Sequence, residues 1–574
     1  MAGGEFQVSG TNAAAPFTLK LHRGDGMTLL AMNWRKGKPP RDFVGFAIEY
    51  KEPGGDRFFA LKNRIAFPGA HGEVNSAQLS TMLSPIQKFR WVHFPRNANL
   101  DGEFVYRVTP VFMNAQGELS NGEPQEARIE LRRETFPGQL NVCFTRGFVS
   151  SQAFVDKFAK FGAISKLIPD KADAGLTFKP THPKADEALP WMGFEAREAI
   201  LETLDQAIKD KTDVRVIAYD LNEPEVVDRL VKIGKRLQVI IDDSRDHRDA
   251  DTAESQAERK LVRSAGRANV KRQHMSKLQH NKTIVVDGAK VQKVVCGSTN
   301  LSWRGFYVQN NNAMVLEGRS AVKLFLAAFD TYFNDPDEFP DSPSAKLTDL
   351  GLKDINARVA FSPHSDKNAL LAKIADDMAD NATSCIFYSL AFLFETKGPI
   401  RDAVTKVTKD KSLFVYGISD RKVGGIDLQK PDGNVVPVFP SALTKNVPPP
   451  FSKEPTGLAG KGFGGTRMHH KFVVIDFDKP SARVYLGSYN FSDPADTQNG
   501  ENLLLIRDRR IAVSYTIEAL RIFDHYHFRV AQQEAKTARK KLQLAKPPRK
   551  PGEKPWWDED FTNARKIRDR ELFA

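Results

Sequence analysis

The sequence predicts an α/β protein of two related halves, preceded by an all-β sandwich. Three observations carry that expectation. Residues 1–135 are filled by short alternating runs separated by Gly, Pro and Asn turn signals. From about Leu140 strands alternate with helices. That alternation then occurs a second time, with the same chemical motif at the same place in each pass.

Within residues 1–135 the runs FTLKL, GFAIEY, RWVHF and FVYRVTPVF have little helical periodicity between them, the pattern of an antiparallel sandwich. Trp34, then GFAIEY, then YRVTPVFMNAQGELS is similar to the fibronectin type III pattern. Such a module is structural or a docking surface, and no chemistry is expected of it. Residues 140–333 form the first α/β half: strand LNVCFT, helix AREAILETLDQAI, strand VRVIAYDL, helix PEVVDRLVKIG, then strands LQVIID and NKTIVVD. Residues 345–530 form the second: strand ARVAFS, helix ALLAKIADDMA, strand SCIFYSL, helix GPIRDAVTKV, then strands SLFVYGI and HKFVVID. On this reading Tyr219-Asp220-Leu221 and Tyr388-Ser389-Leu390 occupy matching strand ends, and the acidic, Pro-containing stretch 334–344 joins the halves.

Two insertions interrupt the repeat before its last strand. In half one an acidic run, Asp242–Asp251, gives way to a basic one from Glu258 to Lys282; in half two residues 434–467 are rich in Pro and Gly. Loops of this length are expected to be functional lids or disordered segments. The glycine run GKGFGG lacks the preceding strand and the following Lys-Ser/Thr of a phosphate-binding loop. Residues 531–574 mix QQEAKTARKKLQLAK with PPRKPGEKPWW and are expected to form a basic C-terminal docking extension.

Composition narrows the partners. Among 574 residues, 84 Lys and Arg against 71 Asp and Glu leave a net charge of +13, which favours nucleic acid, phospholipid head groups or other phosphate esters. The three cysteines, Cys143, Cys296 and Cys385, lie in apolar runs and form neither a disulfide scaffold nor a zinc site. No carboxylate cluster or Cys/His set has metal-ligand spacing, so no metal and no cofactor is expected. There is no long apolar run for a transmembrane helix and no signal-peptide pattern at the start, so the expected compartment is the cytoplasm.

The chemistry lies at the two final strands. Half one gives His280-Asn281-Lys282, four residues, Asp287, then Gly297-Ser298-Thr299-Asn300. Half two gives His469-His470-Lys471, four residues, Asp476, then Gly487-Ser488-Tyr489-Asn490. Residues i and i+2 of a strand share a face, so His and Lys project together and His470 turns outward. A surface histidine on a strand is commonplace once; the same spacing twice, each followed by Gly-Ser-x-Asn, is not. Two imidazoles, two ammonium groups and two amides supply a nucleophile, a proton donor and fixed positive charge for a phosphodiester without metal.

At these residues the chain resembles the phospholipase D superfamily over roughly residues 140–530. The resemblance implies a duplicated phospholipase D fold, two mixed β-sheets flanked by helices about a pseudo-twofold axis, with one active site between the halves in a monomeric catalytic unit. It implies a covalent phosphohistidine on His280, with His469 as general acid and then base. Lys282, Lys471, Asn300 and Asn490 would hold the phosphate oxygens and Ser298 and Ser488 orient the site. Asp287 and Asp476 complete the catalytic motif, with a buttressing role. Family members often carry an acidic residue shortly after the Gly-Ser-x-Asn element. Half two has Glu501, whereas half one has Asn311, which leaves the assignment of nucleophile and acid open to reversal.

The resemblance fixes the reaction more firmly than the substrate. Two diverged halves behind a β domain favour a phospholipase D-like hydrolase of phospholipids, with peripheral contact on an anionic membrane. The basic run from Arg259 to Lys277 favours a nuclease instead. A phosphatidyl transferase or synthase, and a binding module on an inactive fold, are the remaining readings.

Overall fold

The computed structural model describes residues 5–69, 79–131, 135–147, 150–393, 396–419, 468–539 and 542–574, and the counts below refer to these. The Pro/Gly-rich insertion 434–467 lies outside them. The chain divides into two units, one of residues 1–133 and 513–574, the other of residues 134–428 and 437–512.

The first unit contains two antiparallel sheets. One has the order β1 (Gln7–Ser9), β2 (Phe17–Arg23), β3 (Thr28–Trp34) and β6 (Arg90–His93). The other runs β5 (Phe59–Ala60), β4 (Phe43–Lys51), β7 (Glu103–Met113) and β8 (Leu119–Asn121), with β9 (Gln125–Glu130) also on β7. Alternation does what it predicts in β2: Phe17, Leu19 and Leu21 are fully buried while Thr18 and Lys20 are not. The core joins these to Phe43, Phe46, Ile48, Phe104, Tyr106 and Val108. Residues 542–574 are no separate extension, because Trp557 sits in that same core. Arg90 pairs with Asp524 at 2.7 Å and Asp569 at 2.9 Å, and His22 Nε2 lies 2.6 Å from the carbonyl of Phe573.

The second unit holds two seven-stranded mixed sheets. The first is ordered β10 (Leu140–Phe144), β16 (Asn312–Glu317), β15 (Gln292–Gly297), β14 (Lys282–Asp287), β11 (Asp213–Ala218), β12 (Leu237–Ile241), β13 (Val270–Arg272). The second is ordered β17 (Thr348–Asp349), β18 (Asn356–Ser362), β23 (Glu501–Arg507), β22 (Arg483–Gly487), β21 (Lys471–Ile475), β19 (Cys385–Leu390), β20 (Phe414–Ile418). Remove one edge strand from each, β13 and β17, and the two orders coincide. Only β11–β12, β12–β13 and β19–β20 are parallel, so both sheets are mixed rather than the parallel array that strand–helix alternation by itself suggests. The motif strands β14 and β21 lie inside their sheets, which is why their TIVV and FVVI segments are apolar throughout and buried.

Helices α1 (Ser151–Phe158), α2 (Ala185–Asp210), α3 (Pro224–Ile233), α4 (Ala253–Ala265), α5 (Trp303–Tyr307) and α6 (Arg319–Asn334) belong to half one; α7 (Leu371–Asp380), α8 (Pro399–Lys409) and α9 (Asp493–Thr497) belong to half two. Helix α3 shows why the sequence starts it there: Glu223 accepts from the amide of Val226, Pro224 opens the first turn, and Val226, Val227, Leu230 and Ile233 are buried.

Two expectations need correction. Ala218 pairs with Lys282 and Leu390 with Lys471, so Tyr219 lies one residue past its anchor and Tyr388 two before it; the YDL and YSL triplets are not equivalent. Strand ends look alike in sequence, and only cross-strand register fixes them. The basic insertion of half one is ordered as α4 and edge strand β13 rather than a lid. Arg267 and Arg272 pair with Glu258 at 2.5 and 3.4 Å, Arg259 donates to the carbonyl of Ala250, and Lys271 to that of Phe333.

Candidate active site

His280 and His469 each sit two residues before the lysine that opens a motif strand, and each is only 4% exposed. The halves are stitched together at these points. Gln279 bridges Gly500, Asn310 bridges Met468, and the amide of His469 donates to the carbonyl of Asn310 at 3.2 Å. Asn502 donates from Nδ2 to Asn281 Oδ1 at 2.9 Å.

Each histidine is held by a residue of the opposite half. His280 Nδ1 lies 2.8 Å from Glu501 Oε2. His469 Nδ1 lies 2.8 Å from Asn311 Oδ1 and 3.2 Å from the carbonyl of Ser298. Asn311 is itself fixed, since its Nδ2 donates to the carbonyl of Gly305 and its Oδ1 accepts from Ser298 Oγ at 2.9 Å. All these partners of the two Nδ1 atoms are acceptors. Both imidazoles therefore carry hydrogen on Nδ1 and present Nε2 as the reactive nitrogen.

The lysines repeat the symmetry. Lys282 Nζ donates to the carbonyl of His280 and lies 4.8 Å from the Tyr219 ring. Lys471 Nζ donates to the carbonyl of His469 at 2.7 Å and lies 5.6 Å from the Phe392 ring. Burial pushes Lys282 down to about 8, against the upward pull of Glu501, Asp220 and Asp242. Lys471 is lowered well below the ordinary lysine value by burial and by Lys282. His280 is lowered by burial, partly offset by Glu501. His469 is pushed well below the ordinary value by burial and then by Lys471, Lys282, His280 and Arg304. Burial and the neighbouring lysines thus oppose protonation of both imidazoles, and a bound anion would favour it.

The Gly-Ser-x-Asn elements are structural as well as polar. Gly297 and Gly487 have φ of 132° and 143°, and a Cβ there would stand 2.6 Å from Asn312 O and 2.2 Å from Asn502 O. Ser302 and Ser492, two residues past each Asn, cap α5 and α9 through the amides of Gly305 and Ala495. Ser298 orients Asn311, while Ser488 accepts from the amide of Asn502 at 3.0 Å. Asn300 donates one amide hydrogen to Asp220, from Nδ2 to Oδ2 at 2.6 Å. Asn300 Oδ1 and Asn490 Oδ1 are buried without a hydrogen bond.

The motif aspartates do not join this group. Each lies seven positions along the chain from its histidine, about 23 Å at the strand rise. Asp287 is exposed, 3.5 Å from Gln292. Asp476 is buried and accepts from the amides of Thr383, Ser384 and Cys385, which ties β21 to the start of β19. His470 does not turn outward: it is fully buried, with ring centroids 5.7 Å from Phe144 and 5.3 Å from Phe472. The opposite face of this strand is packed, not wet.

Several contributors escape the repeat. Arg304 on α5 adds positive charge that acts on His469 and Asp220, whereas the seventh residue after Gly487 is Pro494, so duplication could not reveal it. Asp220, His247 and Glu254 bring one ligand atom each within 4.8 Å of one another. Asp220 lies 27 residues before His247 and Glu254 seven after it, which is not a recognisable ligand spacing. They could hold a divalent ion only if His247 gave up its Nε2 proton.

The family described as "Cardiolipin synthase, PLD-like domain" matches residues 200–333 and 445–522. A phospholipase D of Rickettsia prowazekii (strain Madrid E) is 47% identical over 47 residues, 8% of this chain and 21% of that protein. The chain thus spans about a fifth of that curated relative. Among solved structures, phosphatidylserine synthase of Haemophilus influenzae Rd KW20 is 14% identical with a TM-score of 0.41, covering 60% of this chain and 92% of that one. Nuc of Salmonella typhimurium, a phospholipase D family member, is 26% identical with a TM-score of 0.20, covering 25% and 87%. Both halves of the chain thus carry phospholipase D-like sequence.

Proposed function

We propose that this chain hydrolyses a phospholipid phosphodiester without metal, through a covalent phosphohistidine on His280. The observation that carries the assignment is the unequal pairing of the two histidines, His280 with the carboxylate of Glu501 and His469 with the amide of Asn311. Attack by the His280 Nε2 lone pair forms a P–N bond and leaves the ring cationic, and an adjacent carboxylate offsets that charge where an amide cannot. His469 suits the other role. The phosphodiester supplies an anion, so its arrival restores a proton to His469 Nε2. That proton passes to the leaving oxygen as the P–O bond breaks. Neutral His469 then takes a proton from water, whose oxygen attacks phosphorus, the P–N bond breaks, and His280 is regenerated. Lys282 and Lys471 lie where non-bridging oxygens would gather charge.

The lipid reading is supported by the family description and the phospholipase D relatives, and by the engagement of Arg259, Arg267, Lys271 and Arg272 within the fold rather than in a free phosphate track. The test is to incubate purified protein in EDTA with mixed phospholipid vesicles and, separately, with single- and double-stranded DNA. Release of a water-soluble head group is expected. Metal-free cleavage of DNA with no head-group release would overturn the lipid assignment and leave a nuclease. Transfer of the phosphatidyl group to an added alcohol in preference to water would make it a transferase.

A further inference from the structure

We propose that His247, which lies outside both motifs, is a positioning residue of the phosphate site: clamped between Asp220 and Asp242, its imidazolium holds the approach to His280 and the amide of Asn300 in one charge-balanced chain beside Lys282. This rests on the phosphate-site reading above and deepens it.

The chain of contacts is continuous. The amide of Gln279, the residue before His280, donates to Asp242 Oδ1 at 2.7 Å. Asp242 Oδ2 faces His247 Nδ1 at 2.7 Å. His247 Nε2 faces Asp220 Oδ1 at 3.3 Å, and Asp220 Oδ2 accepts from Asn300 Nδ2 at 2.6 Å. Carboxylate oxygens only accept, so an imidazole between two of them carries hydrogen on both nitrogens and is a cation. Burial opposes that charge, but the bonds to Asp220 and Asp242 hold His247 up to about 11. Arg272 closes the turn from behind by donating to the carbonyls of Asp242 and His247. Glu254 is buried beside the group and accepts from the amide of Leu221.

Among the described residues this arrangement occurs in half one. By strand register the position of Asp220 corresponds to Phe392 in half two. Lys282 therefore faces Glu501, Asp220 and Asp242 as anions, with His280, Lys471 and the Tyr219 ring around it. The Tyr219 ring also stands 4.7 Å from His247. Asp220 and Asp242 act on Lys282 with their counter-cation between them. Removing that cation frees their field, and removing Asp220 does the opposite.

The test is calorimetric binding of dimethyl phosphate, whose single charge is constant over the range, from about pH 6 to about pH 10 in EDTA. In the unaltered protein binding should fall as Lys282 loses its proton, with a midpoint near 8. His247→Gln should move that midpoint up by about one unit, Asp220→Asn should move it down by about as much, and the double variant should return toward the starting value. If His247→Gln does not fold, the downward shift in Asp220→Asn decides the matter. His274→Gln is the control, because His274 forms a similar but exposed pair with Asp243 and should shift nothing. A merely structural His247 would lower the melting temperature and leave every midpoint in place, which overturns the inference. Failure of the unaltered protein to bind dimethyl phosphate at all would overturn the phosphate-site reading and this inference with it.

Discussion

The Glu501–His280 and Asn311–His469 pairs make opposite demands on two chemically identical rings. Because Glu501 favours the protonated form of His280, Glu501→Gln should lower the His280 pKa further and move the acid limb of kcat/KM to lower pH. The same change removes a charge-assisted hydrogen bond of about 1.5–3 kcal/mol from the cationic intermediate, so kcat should fall roughly tenfold to a hundredfold. A pH–rate profile checks both, and an acid limb that moves upward would refute the pairing argument. Replacing His469 with Ala should cost about 10²–10⁴-fold with a poor leaving group and much less with an activated one, measured by comparing the two substrates. The histidines and lysines were legible in the sequence because the spacing recurs. Their partners were legible only in part. Glu501 and Asn311 stand at matching places, but that each serves the opposite half is a fact of packing. Arg304 and His247 have no counterpart to expose them.

Among the elements, the motif strands were legible because continuous apolar runs such as TIVV and FVVI mark strands buried on both faces. Register and edges were not. Nothing in YDL or YSL tells which residue meets the lysine, and the basic run of half one gave no sign that Glu258 would neutralise part of it inside α4. The C-terminal segment misled for a related reason: its basic composition is real, yet Trp557 and Phe573 are buried in the first unit. Trp557→Ala should therefore destabilise that unit by about 3–5 kcal/mol through the cavity it leaves. Calorimetry of the full chain should show the loss as an earlier transition. An unchanged melting profile would mean that the segment merely rests on the sandwich.

Duplication governs the whole molecule. Because each half completes the other's histidine, the proposed function requires one phosphate site per chain rather than two. Titration with a phosphate analogue should saturate at one equivalent per chain, and either His280→Ala or His469→Ala should abolish turnover on a natural substrate rather than halve it. Two equivalents, or half activity, would contradict a shared site. No helix among the described residues is long and apolar enough to cross a membrane. On the proposed function, turnover should also survive exhaustive dialysis against EDTA, since that reaction assigns no step to a metal. Loss of activity that a divalent ion restores would transfer attention to Asp220, His247 and Glu254.

The covalent step is the centre of the account, and trapping the phosphoryl group tests it most directly. A labelled phosphodiester with an activated leaving group is mixed with each variant, quenched within one turnover and digested to locate the label. Label is expected on His280 in the unaltered protein, with accumulation of that adduct in His469→Ala and none in His280→Ala. Label that persists in His280→Ala and vanishes in His469→Ala would contradict it, and would mean that the nucleophile is the histidine held by an amide.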